Sequence, residues 1–529
     1  MPSILKSMAT VSGLTLLSRV LGFVRQMLLA GIIGASGNPV ADAFWAAFRL
    51  PNMFRRLLAE GAFQAAFVPL FQGESVKGDM SDAKRFAEDI LAWLIVILTG
   101  LTALVMIFTP IFVSILASGF RTDPERFDLT VLYTRIMFPY LACMSIVGLY
   151  GGMLNALHRF AAAAAAPLLL NVCLIIGVLA YADQTSEVTG YAAAWSVMVG
   201  GVLQLLALIF GAMRSSLLLR LRLPRFSGAA KRMLVLGTPG FIGAGALQVN
   251  AIVGTNIASR EEGAVSWLIY ADQLYQLPLA LIGITLGIVL MPAISRSVKS
   301  GDEAGAKTTL NRGIEIACFF ALPAAAALIA MPSFLCAALF QDLAGDATRA
   351  IGAGDSAFNN RDVSQTGFAL FVYGIGLPAF VLQKVFAAAF FAREDTRTPM
   401  TFALVAIAIN AIVSISLFPI LGFISVPIGT IAASWIEVSC LATRLGQKGF
   451  LRTSPRLFSR LLRMGILALG LGFLLKAALN HQDTLRDVAL GQDWILLLVL
   501  TFIGITSYIV AALLTRTVTI QDIRPTAAR

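Results

Sequence analysis

Histidine is almost missing from this chain: His158 and His481 are the 2 among 529 residues, too few for imidazole catalysis or a histidine metal site. The 5 cysteines, Cys143, Cys173, Cys318, Cys336 and Cys440, show no CxxC and no metal-type spacing, and read as small hydrophobes in apolar segments. Charge is also scarce, at 13% of residues against 58% hydrophobic ones, with a mean hydropathy of +0.82. That balance excludes a water-soluble globular protein. Within the apolar segments there are no paired carboxylates with a histidine, no Ser/His/Asp set, no phosphate loop and no dinucleotide fingerprint. The common enzyme classes and ATP-driven transport have nothing to work with, no cofactor is expected, and any transport would be secondary or passive.

What fills the chain instead is apolar sequence in runs of about 20 residues, each able to cross a ~30 Å hydrocarbon core as a helix. The runs are continuous and lack the alternation of a transmembrane barrel. Windows fall near 11–33, 42–72, 88–118, 129–156, 161–182, 189–213, 231–258, 264–295, 313–340, 366–392, 398–419, 422–443, 458–479 and 493–515, fourteen in all. The N-terminus begins like a signal peptide, but Arg19 and Arg25 break its apolar stretch, so it reads as a retained first helix. Lysine and arginine crowd alternate loops, among them 214–232 and 444–463, while loops 1–2, 5–6 and 11–12 carry none. The positive-inside rule then puts both termini in the cytoplasm, in keeping with an even number of spans. The formal net charge of +11 is explained by this topology and by attraction to anionic headgroups, with no nucleic-acid partner. The loop 341–362 reads as an external polar segment with a short surface helix.

A repeat is visible. LNALHRFAAAAAAP, ending at Pro167 and followed by Asn171, resembles FAAAFFAREDTRTP, ending at Pro399 and followed by Asn410, and Pro69 is echoed by Pro292. The expected fold is all-α, with fourteen transmembrane helices. Two six-helix lobes, 1–220 and 221–450, would be related by a parallel repeat with a central cavity between them, and two further helices would occupy 451–529.

Several charges fall where lipid would surround them: Arg19, Arg25, Arg49, Arg55, Arg56, Arg135 and Lys384. Each would cost about 2.5–3.5 kcal/mol at mid-bilayer, so they should line a watery cavity or pair inside the bundle. Arg19 and Arg25 lie about 12 and 21 Å into the first helix and about 120° apart around it, with Gly22 between them. In the second helix Asp42, Arg49, Asn52, Arg56 and Glu60 fall within a stripe about 80° wide, and Arg55 projects elsewhere. Pro51 should open that helix locally. Arg56 and Glu60 are an i,i+4 pair; they and Asp42 read equally as interior ion pairs or as cavity residues. Arg19, Arg25 and Arg55 outnumber the nearby acids. An uncompensated cationic cavity suits an anion, and the arginine fork suits phosphate. In the eighth helix Asp272, Gln273 and Gln276 interrupt an apolar run, and Lys384 and Glu437 either pair in the second lobe or mark an ion path.

The runs SRVLGFVRQ (18–26), ADAFWAAFRLPNMFRRLLAEGAFQAAFVP (41–69) and VSWLIYADQLYQLP (265–278) resemble the MurJ/MviN lipid II flippases, a branch of the multidrug/oligosaccharidyl-lipid/polysaccharide exporter superfamily. The resemblance implies a multi-pass bacterial inner-membrane protein that moves lipid II, the polyprenyl-pyrophosphate-linked peptidoglycan precursor, to the periplasmic leaflet. It implies that Arg19, Arg25 and Arg55 meet the pyrophosphate, that Asp42, Glu60 and Asp272 share the cavity, and that the last two helices guide the lipid tail. Cell-wall synthesis proteins and membrane lipids are the other partners it suggests. Gln26 and Gln273 stand where the family often has an acid and an arginine, and Gln276 where an acid is frequent; an ion pair replaced by two amides would leave net charge unchanged. Rival expectations are a flippase for another polyprenyl-pyrophosphate-linked saccharide, a drug or cation antiporter of the same superfamily, and a non-transporting scaffold for cell-wall enzymes. The coupling ion stays open, with the membrane potential as the expected drive.

Overall fold

The computed structural model describes residues 2–58, 62–77, 80–225, 228–451 and 454–518. Among them there is no strand. The helices are α1 (Pro2–Ile33), α2 (Val40–Leu58), α3 (Ala62–Lys77), α4 (Met80–Ile107), α5 (Thr109–Leu116), α6 (Pro124–Met137), α7 (Tyr140–Ala156), α8 (Phe160–Ala180), α9 (Ser186–Met213) and α10 (Gly228–Ala258). They continue as α11 (Ala264–Lys299), α12 (Glu303–Ala330), α13 (Pro332–Cys336), α14 (Ala344–Ala350), α15 (Asn360–Phe391), α16 (Arg397–Leu421), α17 (Ser425–Gln447), α18 (Pro455–Leu479), α19 (Gln482–Val488) and α20 (Asp493–Leu514). Among the described residues 10 helical segments are long and apolar enough to cross a membrane.

Each apolar window of the sequence lies on one or two of these helices, and the differences have local causes. The window 88–118 breaks at Phe108, just before Pro110, and 129–156 breaks at Phe138–Pro139, because proline brings no N–H to the helical ladder. The window 313–340 starts ten residues early, at Glu303, where the Asp302 side chain accepts a hydrogen bond from Gly305 N, and it breaks at Met331–Pro332. Pro51 does not end its helix: α2 runs through it to Leu58, while the Ala47 carbonyl is left without the helical donor that proline cannot supply. The expected single helix 42–72 is α2 followed by α3, with 59–61 outside the described residues.

The chain divides into two compact units, Met1–Ser266 with Ala344–Phe358, and Trp267–Leu343 with Asn359–Arg529. α10 packs on α2, α3 and α4 within the first unit.

Small residues let the helices of the first unit approach closely, as bilayer helices must in the absence of a hydrophobic drive between them. A Cβ on Gly177 of α8 would lie 1.9 Å from Ser196 Oγ of α9, and one on Gly201 would lie 2.5 Å from the Tyr140 ring. Phe63, Phe67, Phe71 and Phe86 stack with centroids 5.6–5.7 Å apart and tie α3 to α4. The short helix expected in 341–362 exists as α14, but one of its faces is inside. A Cβ on Gly31 of α1 would lie 2.9 Å from Ala344 Cβ, and Ala357 N donates to Gly31 O at 2.6 Å. The basic segment 214–225 is tied down as well as charged: Arg222 pairs with buried Glu88 at 2.7 Å and the Trp93 indole donates to Arg225 O.

In the second unit α12 packs on α15 and α18, and α17 on α15 and α16. The Trp267 indole, fully buried, donates to Asp362 Oδ1 at 2.8 Å, and Asp362 also closes a capping box with Asn359 at the start of α15. Leu471, Leu475, Leu496, Leu500 and Tyr508 hold α18 to α20. The outward sides of these two helices carry exposed Phe458, Leu469, Phe473 and Phe502, the surface of a protein whose solvent is lipid.

One polar clasp gives a pH prediction. In the turn between α15 and α16, Asp395 accepts from Lys448 Nζ at 2.7 Å and from Thr398 N and Oγ1. The lysine first, then Thr398, hold its carboxyl down at about 2. A carboxyl lowered in the folded state stabilises above the unfolded value of about 4, and that contribution is lost as pH falls toward 2. The pair is partly exposed, so Asp395→Asn should lower stability by only about 0.5–1 kcal/mol at pH 7. Melting curves of both proteins between pH 7 and 3 check this: the gap should narrow at the acid end, and a constant gap would refute the linkage.

Candidate functional site

The polar residues picked out on α1 and α2 lie in the first unit. The stretch of α1 from Thr10 to Ile33 is apolar enough to cross a membrane, and both of its arginines lie within it. Arg19 is exposed among exposed Leu16, Leu17 and Val20. Arg25, six residues further on, is half-buried, and its Nη1 donates to Asn171 Oδ1 of α8 at 2.9 Å while its buried Nε has no partner among the described residues. The amide of Asn171 donates in turn to Ser18 O at 3.0 Å, which fixes the direction in which its oxygen faces Arg25. Gly22 lies beside this contact, where a Cβ would sit in ordinary van der Waals contact, 3.7 Å from Asn171 Nδ2. The sequence showed Asn171 only as a landmark of the repeat; its position as a lone amide in an Ala/Leu-rich helix was the signal for more. Among the described residues neither Arg19 nor Arg25 forms an ion pair.

On α2 the stripe separates into residues with different work. Arg49 donates to Thr255 Oγ1 and to Ala251 O of α10, a partnership the sequence did not reveal. Asn52 and Arg55 are brought together, Arg55 Nε donating to Asn52 Oδ1 at 3.1 Å. Arg56 is exposed, and its expected partner Glu60 lies outside the described residues.

Asp42 is a structural residue in this geometry. It is 1% exposed, and its carboxylate accepts from Gly263 N at 2.8 Å, Ser266 N at 2.9 Å and Ser266 Oγ at 2.7 Å. All three donors sit at the start of α11, where orphan N–H groups and the helix dipole favour a carboxylate. Its acceptor capacity is turned to that helix end, which accounts for Asp42 without a ligand. Gln26, also in the first unit, is buried.

In the second unit, Asp272 accepts from the side chain of exposed Gln276 one turn along α11, and Gln273 is half-buried. Glu437 accepts from Gln383 Nε2 at 2.8 Å, one residue before Lys384, whose ammonium lies over Gly283, 2.9 Å from where a Cβ would be. Of the two readings left open for Glu437 and Lys384, a mutual pair or an ion path, neither is decided by this amide contact. Arg135 is exposed.

The fold is shared with known transporters. A solved lipid II flippase MurJ in an inward closed conformation superposes with a TM-score of 0.77 at 21% identity, covering 97% of this chain and 99% of that one. An inward-facing multidrug resistance transporter of the MATE family, in the MOP superfamily, superposes at 0.66 with 16% identity, covering 81% and 95%. The architecture is thus that of multi-pass helical membrane transporters. Residues 29–482 match the family described as lipid II flippase MurJ. A probable lipid II flippase MurJ of Rhizobium meliloti (strain 1021) is 43% identical over 471 residues, 88% of this chain and 85% of the relative. The lipid II flippase MurJ of Burkholderia cenocepacia is 34% identical over 486 residues, 89% of each. The chain belongs to the MurJ family.

Proposed function

We infer that this chain is a lipid II flippase: a transporter, not an enzyme, that carries lipid-linked peptidoglycan precursor across the bacterial inner membrane toward the periplasm. The observation that carries this reading is the family match over residues 29–482. The arginines of the first unit supply its chemistry. A guanidinium offers donors in a rigid fork that matches phosphate oxygens, and each such charge-assisted bond is worth about 1.5–3 kcal/mol. In our proposal Arg25, held from behind by Asn171, presents its fork to the pyrophosphate together with Arg19 and Arg55. Arg49, Asn52 and Arg56 form the flank of that surface. Asp42 keeps the start of α11 in register with α2 and leaves the ligand to the arginines.

We further propose fourteen spans with both termini in the cytoplasm, two repeat-related lobes that alternate access, and a path for the polyprenyl tail along α18 and α20, whose exposed Phe473 and Phe502 suit isoprenoid contact. Outward movement of a pyrophosphate is favoured by an inside-negative potential at about 2.3 kcal/mol per charge per 100 mV, which removes the need for an ATP site. Complementation tests the reading: expressed in a strain depleted of its own lipid II flippase, the chain should restore growth. Failure by a protein that reaches the membrane in normal amount would reject it.

A further inference from the structure

A groove of about 560 Å³ lies between the start of α16 and the end of α17, wholly within the second unit and far along the chain from the arginines of α1 and α2. Arg397 and Arg444 line it with Thr443 and Gln447, and Phe402 and Cys440 form its apolar side. Both arginines are exposed and, among the described residues, no carboxylate lines the groove. Asp395, the nearest acid in sequence, is committed to Lys448 and Thr398. Arg444 Nη1 donates to Gln447 Oε1 at 3.1 Å, which steadies the fork and leaves the amide nitrogen of Gln447 as a donor. The hydroxyls of Thr398, Thr401 and Ser439 already donate elsewhere, to Asp395 and to backbone carbonyls. The donors that remain are two guanidiniums, one amide and the Thr443 hydroxyl, an anion-binding set.

The depth of this groove decides which anion. It lies at the polar ends of two helices whose outward residues further along, Leu404, Val405, Trp435 and Ile436, are large, apolar and exposed. At 1.5 Å per residue Leu404 stands about 10 Å deeper along α16 than Arg397. A two-charge pocket above a lipid-facing surface matches a molecule with a phosphodiester at one end and acyl chains at the other.

We propose that this groove binds the headgroup of an anionic glycerophospholipid, its phosphodiester between Arg397 and Arg444 and its chains along the outer face of α16 and α17. The basic loops at this end of the helices assign it to the cytoplasmic leaflet. It is a structural-lipid site built from the second unit alone.

Native mass spectrometry of the full-length protein tests this, with phosphatidylglycerol and phosphatidylcholine of identical chains as probes. One phosphatidylglycerol should be held in preference to phosphatidylcholine. With about 1 kcal/mol per basic residue near an anionic lipid, Arg397→Gln with Arg444→Gln should weaken that binding about thirtyfold, while the double lysine variant keeps most of it. Photoreactive phosphatidylglycerol on the wild-type protein should label peptides containing 397–402 or 439–447, a readout independent of how the variants fold. Undiminished affinity in the glutamine variant, equal retention of phosphatidylcholine, or labelling confined to other helices would overturn the proposal. Glycerol 3-phosphate displacing the lipid at equal concentration would overturn it too, by showing a site for soluble phosphate.

Discussion

Replacing Arg25 with alanine is expected to abolish complementation in a flippase-depleted strain while the protein still reaches the membrane. The residue sits within an apolar helix, makes one hydrogen bond to Asn171 and has a buried Nε with no partner. Were Arg25 there to hold helices together, a carboxylate or several carbonyls should satisfy it, because an unpaired cation at that depth is costly. Loss of each charge-assisted bond to phosphate should slow transport roughly 10- to 150-fold, and two such bonds would stop growth. Arg25→Lys should keep partial function, since it retains the charge and loses the fork. Asn171→Leu should act in the same direction but more weakly, as the guanidinium would survive unaimed. Arg55→Ala is expected to abolish growth as well. Full growth with both alanine substitutions would remove the cationic site.

The second large effect concerns folding. Asp42→Ala would leave Gly263 N, Ser266 N and Ser266 Oγ without their acceptor inside a buried contact. Leaving a buried donor unsatisfied costs about 1–3 kcal/mol, so losing the acceptor of three exceeds any ordinary surface substitution. The expected result is a sharply lower melting midpoint in detergent and poor accumulation, with Asp42→Asn intermediate because one carbonyl oxygen still accepts. An Asp42→Ala protein that melts normally yet fails to transport would return Asp42 to the ligand site.

These two residues also show what could be read from the chain alone. Apolar stretches located the helices because a bilayer demands about 20 uncharged residues, a constraint written locally. Arg19 and Arg25 were conspicuous for the same reason, as charges in the wrong medium. Asp42 was conspicuous too, yet its partners lie 221 and 224 residues away, and no spacing rule on α2 could distinguish a cap for α11 from a cavity residue. Asn171 is 146 residues from Arg25, so its aiming role depended on how α8 lies against α1. Local chemistry also corrected the helix ends: Pro110, Pro139 and Pro332 split apolar windows that hydropathy averages across.

The inferred activity can be read directly from the leaflet in which lipid II resides. In cells carrying this chain as their lipid II flippase, acute depletion should make newly synthesised lipid II inaccessible to a periplasmic probe within the time the protein is lost, while its total amount rises. Re-expression should restore accessibility, and the Arg25→Ala protein should not. Lipid II that stays accessible from the periplasm after the chain is gone, with no other flippase present, would contradict transport of this lipid by this protein.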